Sequence, residues 1–254
     1  MTAGQSSTGS PDVLTQEPEP DRSPPLIDGL DALVSRGFAA VLFDLDGTLI
    51  DSTPSVERSW ATWAGTYGLT LADLQGWHGV PARGLIAHFL PPEQHAEAEQ
   101  AITDLEIADV EGIAALPGAA SFLDALAGTG RSAIVTSGVD RLARARIQVS
   151  GLTAPDVVVT ASDVVHGKPS PDPYVLAAQR LGVDPGACLV VEDAPAGLAA
   201  ARAAGCATLA VTTTTAYADL VADPNADAVV PTLAYVRAVV GDDGVRIVRS
   251  DLTT

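Results

Sequence analysis

The stretch VLFDLDGTLIDS, residues 41–52, ends an apolar run with two aspartates, Asp44 and Asp46, placed at i and i+2. Side chains two apart on an extended chain share one face. A buried strand ending this way aims two carboxylates at the same small region. Working outward, short β-branched runs alternate with amphipathic helical patterns. FAAVLF (38–43), SAIVTS (132–137), DVVVTA (156–161), CLVVED (188–193) and ATLAVT (207–212) read as strands. They are largely apolar, as expected for strands covered on both faces. Helical patterns lie at about 118–127, 141–149, 172–181 and 196–204, three of them followed by a stop glycine: Gly151, Gly182 and Gly205. Strand–helix–strand alternation with short connections predicts an α/β fold with a parallel, Rossmann-like sheet and right-handed crossovers.

Residues from about Thr53 to Gly112 break that rhythm with helical patterns and no strand, and LPG at 116–118 marks the return. The expected division is a loosely attached tail (1–36), a core (37–52 and 113–254) and an inserted helical cap (53–112). A chain of 254 residues, 47% of them hydrophobic, can bury one sizeable core with a smaller satellite. It contains no apolar run of the roughly 18 residues that a membrane span needs. The N-terminus has no basic start and no apolar run, so it does not read as a secretory signal. Its Ser, Thr, Pro and acidic content predicts mobility up to about Pro25. Cys188 and Cys206, both in apolar runs, read as reduced core residues of a cytoplasmic protein.

Net charge is −18, from 32 acidic and 14 basic residues, which disfavours nucleic acid as a partner, as the lack of a long apolar run disfavours a membrane. An anionic substrate would then need a locally positive site. Lys168 is the only lysine in the chain. In an open parallel sheet, ligands sit beyond the carboxyl ends of the strands. Asp44 and Asp46 end the first strand, and Thr136, Ser137 and Gly138 end the second. Lys168 follows the third, and Glu192 and Asp193 end the fourth. Acidic groups from the first and fourth strands suit Mg²⁺, while a hydroxyl and a lysine suit phosphate oxygens. The set describes phosphoryl transfer: a carboxylate nucleophile, a metal, and cations around a phosphoryl group.

FDLDGTLIDS, VTSG, GKPSPDPY and VVEDAPAGLAAARAAG stand in the order and spacing of the four motifs of haloacid dehalogenase-like phosphohydrolases, which the chain resembles from about residue 38 to 230. Within that superfamily it is similar to the helical-cap sugar and polyol phosphatases. The resemblance implies Mg²⁺-dependent hydrolysis through an aspartyl-phosphate. Asp44 would be the nucleophile and Asp46 the acid–base group, lending its backbone carbonyl to the metal. Ser137 and Lys168 would hold phosphate, with Thr48, Thr136 and Gly138 as further substrate-binding positions. Asp193 would ligate Mg²⁺ directly, with Glu192 in or just behind the ligand shell.

In the cap, His78 and Arg83 are candidate substrate contacts that also admit a purely structural reading. His88 and His95 read as surface or core-edge residues, and His166 as part of its loop. Trp60 and Trp63, three apart on one helical face, read as cap core, and the acidic run 93–111 as a solvated face. Two other functions use the same core. A β-phosphoglucomutase-like mutase would carry a hinge histidine twelve positions after the nucleophile, where this chain has Val56. A silent regulatory module would not need every motif position filled.

Overall fold

The structure, a computed structural model, describes Met1, residues 27–74 and residues 82–250. Apart from Met1, the expected tail up to Pro25 lies outside these residues, as does the candidate His78. Six strands form one parallel sheet: β1 (Ala40–Phe43), β2 (Ser132–Val135), β3 (Val157–Val159), β4 (Cys188–Glu192), β5 (Ala207–Val211) and β6 (Ala228–Val230), in the order β3-β2-β1-β4-β5-β6. Every residue of β1, β2, β4 and β5 is buried, because helices cover both faces. Alternation sends Val41, Phe43, Leu189 and Val191 to one face, against Phe122 and Leu126 of the helix Ala119–Leu126. It sends Leu42, Ala133 and Val190 to the other, against Tyr174 and Ala177 of the helix Asp172–Leu181.

The chain runs outward from β1 through β2 to β3, then returns to build β4, β5 and β6 on the opposite side. The sheet order therefore reverses at β1. That switch point is where a parallel sheet leaves a crevice at its carboxyl edge, and it places Asp44 at the centre of the site.

Several boundaries differ from the sequence reading. FAAVLF is broken at Ala39: Gly37–Phe38 pairs antiparallel with Val245 and Arg246 in a separate three-stranded sheet. That sheet is completed by the hairpin Val236–Gly241 and Gly244–Arg249, whose turn is Asp242–Asp243. Residues 28–36 do not form a loose tail. Asp28 exchanges two backbone hydrogen bonds with Val229, and Leu30 and Leu33 of the short helix Leu30–Val34 are buried in the core.

The insertion leaves and rejoins the core through two short segments, Ile50–Asp51 and Ala114–Ala115, paired antiparallel. Between them stand the helices Thr53–Thr66, Ala82–Phe89 and His95–Ala108. They close around a separate apolar cluster that includes Trp63, Leu85, Ile86 and Ile102. Trp63 is fully buried, donates its indole N–H to the Ala98 carbonyl at 3.0 Å, and meets Trp60 edge-to-face with ring centroids 5.1 Å apart. The paired tryptophans thus form cap core.

Candidate active site

Asp44 follows directly on β1, its N–H bonded to the Val191 carbonyl at 3.0 Å, so the ladder itself holds the residue at the sheet's carboxyl edge. On neighbouring strand ends stand Thr136, after β2, and Glu192 and Asp193, at and after β4. Lys168 reaches in from the loop before the helix Asp172–Leu181. Its ammonium donates to Asp44 Oδ1 at 2.6 Å, to Glu192 Oε1 at 2.6 Å and to the Val135 carbonyl at 2.9 Å. All three donor positions are thereby used inside a buried site.

Oxygens of Asp44, Glu192 and Asp193 lie within 4.8 Å of one another, all three residues buried. Burial, then Glu192 and Asp193, push the Asp44 carboxyl well above its usual range against the pull of Lys168. Burial and Glu192 push Asp193 up to about 7. Burial alone would lower the Lys168 ammonium, but Asp44 and Glu192 hold it above its ordinary range, firmly charged. Negative charge therefore exceeds positive charge in a cluster of hard oxygen donors. This is the electrostatic setting that a divalent cation completes.

The geometry divides these carboxylates by role. Glu192 is fully engaged by the protein. Its Oε1 takes Lys168 and the Tyr174 hydroxyl, both at 2.6 Å, and its Oε2 takes the N–H groups of Asp193 at 3.2 Å and Ala194 at 3.4 Å. Glu192 thus anchors Lys168 from within the cluster. Asp193 is braced by the hydroxyls of Thr48, at 3.2 Å, and Thr214. Thr48 is accordingly turned to Asp193, which gives it an orienting place where substrate contact was expected. Gly47 sits at φ 85°, and a Cβ there would come within 2.3 Å of Asp193 Oδ2, so the turn needs glycine on both counts.

Thr136 is buried and its hydroxyl accepts the Gly138 N–H at 3.0 Å, while the adjacent Ser137 is exposed. Asp46, half-buried, accepts the Ser52 hydroxyl at 2.7 Å. Beside the paired segments that lead into the insertion, Gly47, Asp51, Thr53, Pro54, Thr213 and Thr214 line a cleft of about 370 Å³.

Arg83 is not brought to this cluster. Its highly exposed guanidinium pairs with Glu99 on the next cap helix at 3.1 Å. His166 pairs with Asp172 at 3.1 Å, and His95 bonds the Leu90 carbonyl at 2.9 Å, so both serve local structure. Thr214 and Arg146 both escaped the sequence reading. Arg146, on the helix Asp140–Ser150, is 4% exposed and lies 2.9 Å from Asp46 Oδ1. A buried arginine inside RLARARIQVS carries no local signal, because arginines at that spacing ordinarily line a wet helix face. Its second partner, Glu106, departs from the solvated face expected of the acidic run 93–111.

Comparison with known proteins agrees with this geometry. Residues 38–205 match the family described as haloacid dehalogenase-like hydrolase. Hexitol phosphatase A of Escherichia coli (strain K12) is 48% identical over 181 residues, covering 69% of this chain and 82% of that protein. Glycerol-1-phosphate phosphohydrolase 2 of Saccharomyces cerevisiae is 34% identical, covering 69% and 75%. Among solved structures, CbbY from Rhodobacter sphaeroides in complex with phosphate matches with a TM-score of 0.68 at 26% identity, covering 78% of this chain and 95% of that one. The chain belongs to the haloacid dehalogenase-like hydrolases, and within them it is a phosphatase that acts on phosphomonoesters.

Proposed function

We propose that this protein hydrolyses small polyol and sugar phosphates, hexitol phosphates foremost, with Asp44 as nucleophile and Asp46 as proton carrier. The observation that carries the reading is Asp44 at the switch point of the sheet, 2.6 Å from a buried ammonium that Glu192 also holds at 2.6 Å. An Asp44 oxygen attacks phosphorus, the ester P–O bond breaks, and the departing alkoxide takes the proton of the Asp46 carboxyl. The product is an aspartyl-phosphate. Asp46, now a carboxylate, takes a proton from a water that attacks the same phosphorus, releasing inorganic phosphate and restoring Asp44.

Lys168 faces the phosphoryl oxygens beside Asp44, and the strand end at Thr136 and Ser137 supplies further polar groups. The Asp44 and Asp193 carboxylates, with the Asp46 backbone carbonyl, would hold Mg²⁺. When bound, the ion offsets the negative charge between carboxylate and phosphate. The named activities of the similar proteins, on hexitol phosphate and glycerol-1-phosphate, support polyol esters as the substrate class. Val56, in the first cap helix, stands where a phosphomutase of this kind would carry its histidine, which favours transfer to water. The inserted helices beside the site favour small substrates, and two free, buried cysteines suit a reducing, cytoplasmic setting.

Phosphate release from hexitol, glycerol, aldohexose and nucleoside monophosphates tests the reading. The expected result is Mg²⁺-dependent turnover with the best kcat/KM on a hexitol phosphate, and a loss of more than ~1000-fold in Asp44→Asn. An Asp44→Asn variant within about tenfold of wild type would refute the covalent route.

A further inference from the structure

Arg146 belongs to the core helix Asp140–Ser150, yet its guanidinium spans the seam between core and cap. Nη1 lies 2.9 Å from Asp46 Oδ1, and Nη2 lies 3.4 Å from Oε1 of Glu106 on the cap helix His95–Ala108. The second distance is an ion pair without hydrogen-bond geometry, and Nε meets no acceptor among the described residues. A buried cation left incompletely satisfied is costly, so this placement demands a reason. Glu106 is itself largely covered, and burial, then Asp46 nearby, raise its carboxyl against the pull of Arg146. A second, exposed pair crosses the same seam, Arg141 to Asp104 at 2.9 Å, so the two helices are joined twice. Only the inner join touches the acid–base carboxylate.

We propose that Arg146 is a positioning residue that fixes the place of the Asp46 carboxyl and ties it to the cap through Glu106, so that proton delivery to the leaving group depends on the cap being seated. The proposal rests on the phosphatase reading above. Arginine suits the task because its rigid planar fork presents separate nitrogens in fixed directions, one toward each carboxylate. With the cap seated, Glu106 takes one arm and the other holds Asp46 beside Ser52. With the cap lifted, that arm has no partner and the hold on Asp46 changes. Chemistry on a substrate that the cap has not enclosed is thereby disfavoured.

The test is leaving-group dependence. Proton delivery matters for an alkoxide and hardly at all for p-nitrophenolate, which departs unprotonated. kcat/KM covers the steps up to that departure. Arg146→Met and Glu106→Gln should each lower kcat/KM on a hexitol or glycerol phosphate by about tenfold or more, while p-nitrophenyl phosphate stays within about threefold. Arg146→Lys should recover part of the alkyl-ester activity. The double variant should lose less than the product of the two single losses, as expected for partners in one linkage. Thermal unfolding identifies any variant that fails to fold. Glu106→Gln, which preserves shape, decides the matter if Arg146→Met does not fold. Equal losses on alkyl and aryl esters, or an unchanged Glu106→Gln, would overturn the proposal. Failure of the wild type to release phosphate from either ester would instead strike the phosphatase reading itself.

Discussion

Replacing Lys168 with methionine keeps the reach of the side chain and removes its charge. The ammonium makes three contacts of 2.6, 2.6 and 2.9 Å, two of them to buried carboxylates. Its loss leaves Asp44 and Glu192 facing each other with no cation between them. Removing one partner of a buried pair costs about 3–5 kcal/mol, because the other charge stays uncompensated. For a chain of this size, each kcal/mol moves the melting temperature by roughly 2–4 °C, so the expected fall is roughly 6–20 °C. Activity should fall as well, because the ammonium also offsets charge between nucleophile and phosphate. Loss of one such electrostatic partner costs on the order of 10²–10³ in rate. The same phosphoryl group is present in every ester, so the fall should be equal for alkyl and aryl phosphates, unlike that for Arg146. Excess Mg²⁺ should restore part of the lost stability, about 2.7 kcal/mol at a hundred times its Kd, by binding the freed carboxylates. The assays are thermal unfolding with and without Mg²⁺ and kcat/KM on both ester types. A variant that melts within about 2 °C of wild type and turns over within about tenfold would refute the assignment of Lys168 as the central cation.

Asp193→Ala should weaken Mg²⁺ binding at least ~100-fold by calorimetry, and excess EDTA should silence the wild type; full turnover in chelator would contradict the site. Gly197→Ala places a Cβ 1.8 Å from Glu192 Oε1, a carboxylate that four donors pin in place. The variant should lose about 1–3 kcal/mol despite alanine's better helix propensity, and its kcat should drop; a rise in melting temperature would show that Glu192 can move freely. Burial pushes the Cys188 thiol up to about 11 and the Cys206 thiol up to about 12. Below those values the groups stay protonated, so folded protein at pH 8 should resist iodoacetamide while denatured protein reacts at both thiols; rapid labelling of the folded state would place a thiol at the surface.

The core strands and the carboxyl-edge cluster could be read from sequence because each depends on short-range chemistry. Apolar β-branched runs of four or five residues alternating with helical patterns point to a parallel sheet covered on both faces, whose strand-ending polar residues fall on one edge. The missed strands had weaker cues. Ala228–Val230 is as short as Val157–Val159 but carries two β-branched residues where that strand has three. The hairpin Val236–Arg249 did carry a signal: alternating residues around GDDG, the pattern of a two-residue turn.

What only the tertiary structure decided is which partner each polar side chain takes. DLDGT and VED declare carboxylates at strand ends, but nothing local says that Glu192 anchors Lys168 while Thr48, 145 positions away, braces Asp193. Arg83 lies in a glycine- and proline-containing stretch that invites a substrate role, yet a cap helix presents Glu99 to it. Arg146 has the sequence surroundings of a surface residue. It is buried because the cap helix packs across the helix that carries it, and Asp46 and Glu106 offer it the only nearby negative charge among its described partners. Periodicity determines which face of an element is covered. The partner on that face comes from a distant part of the chain, and charges choose among the neighbours that packing has already brought within reach.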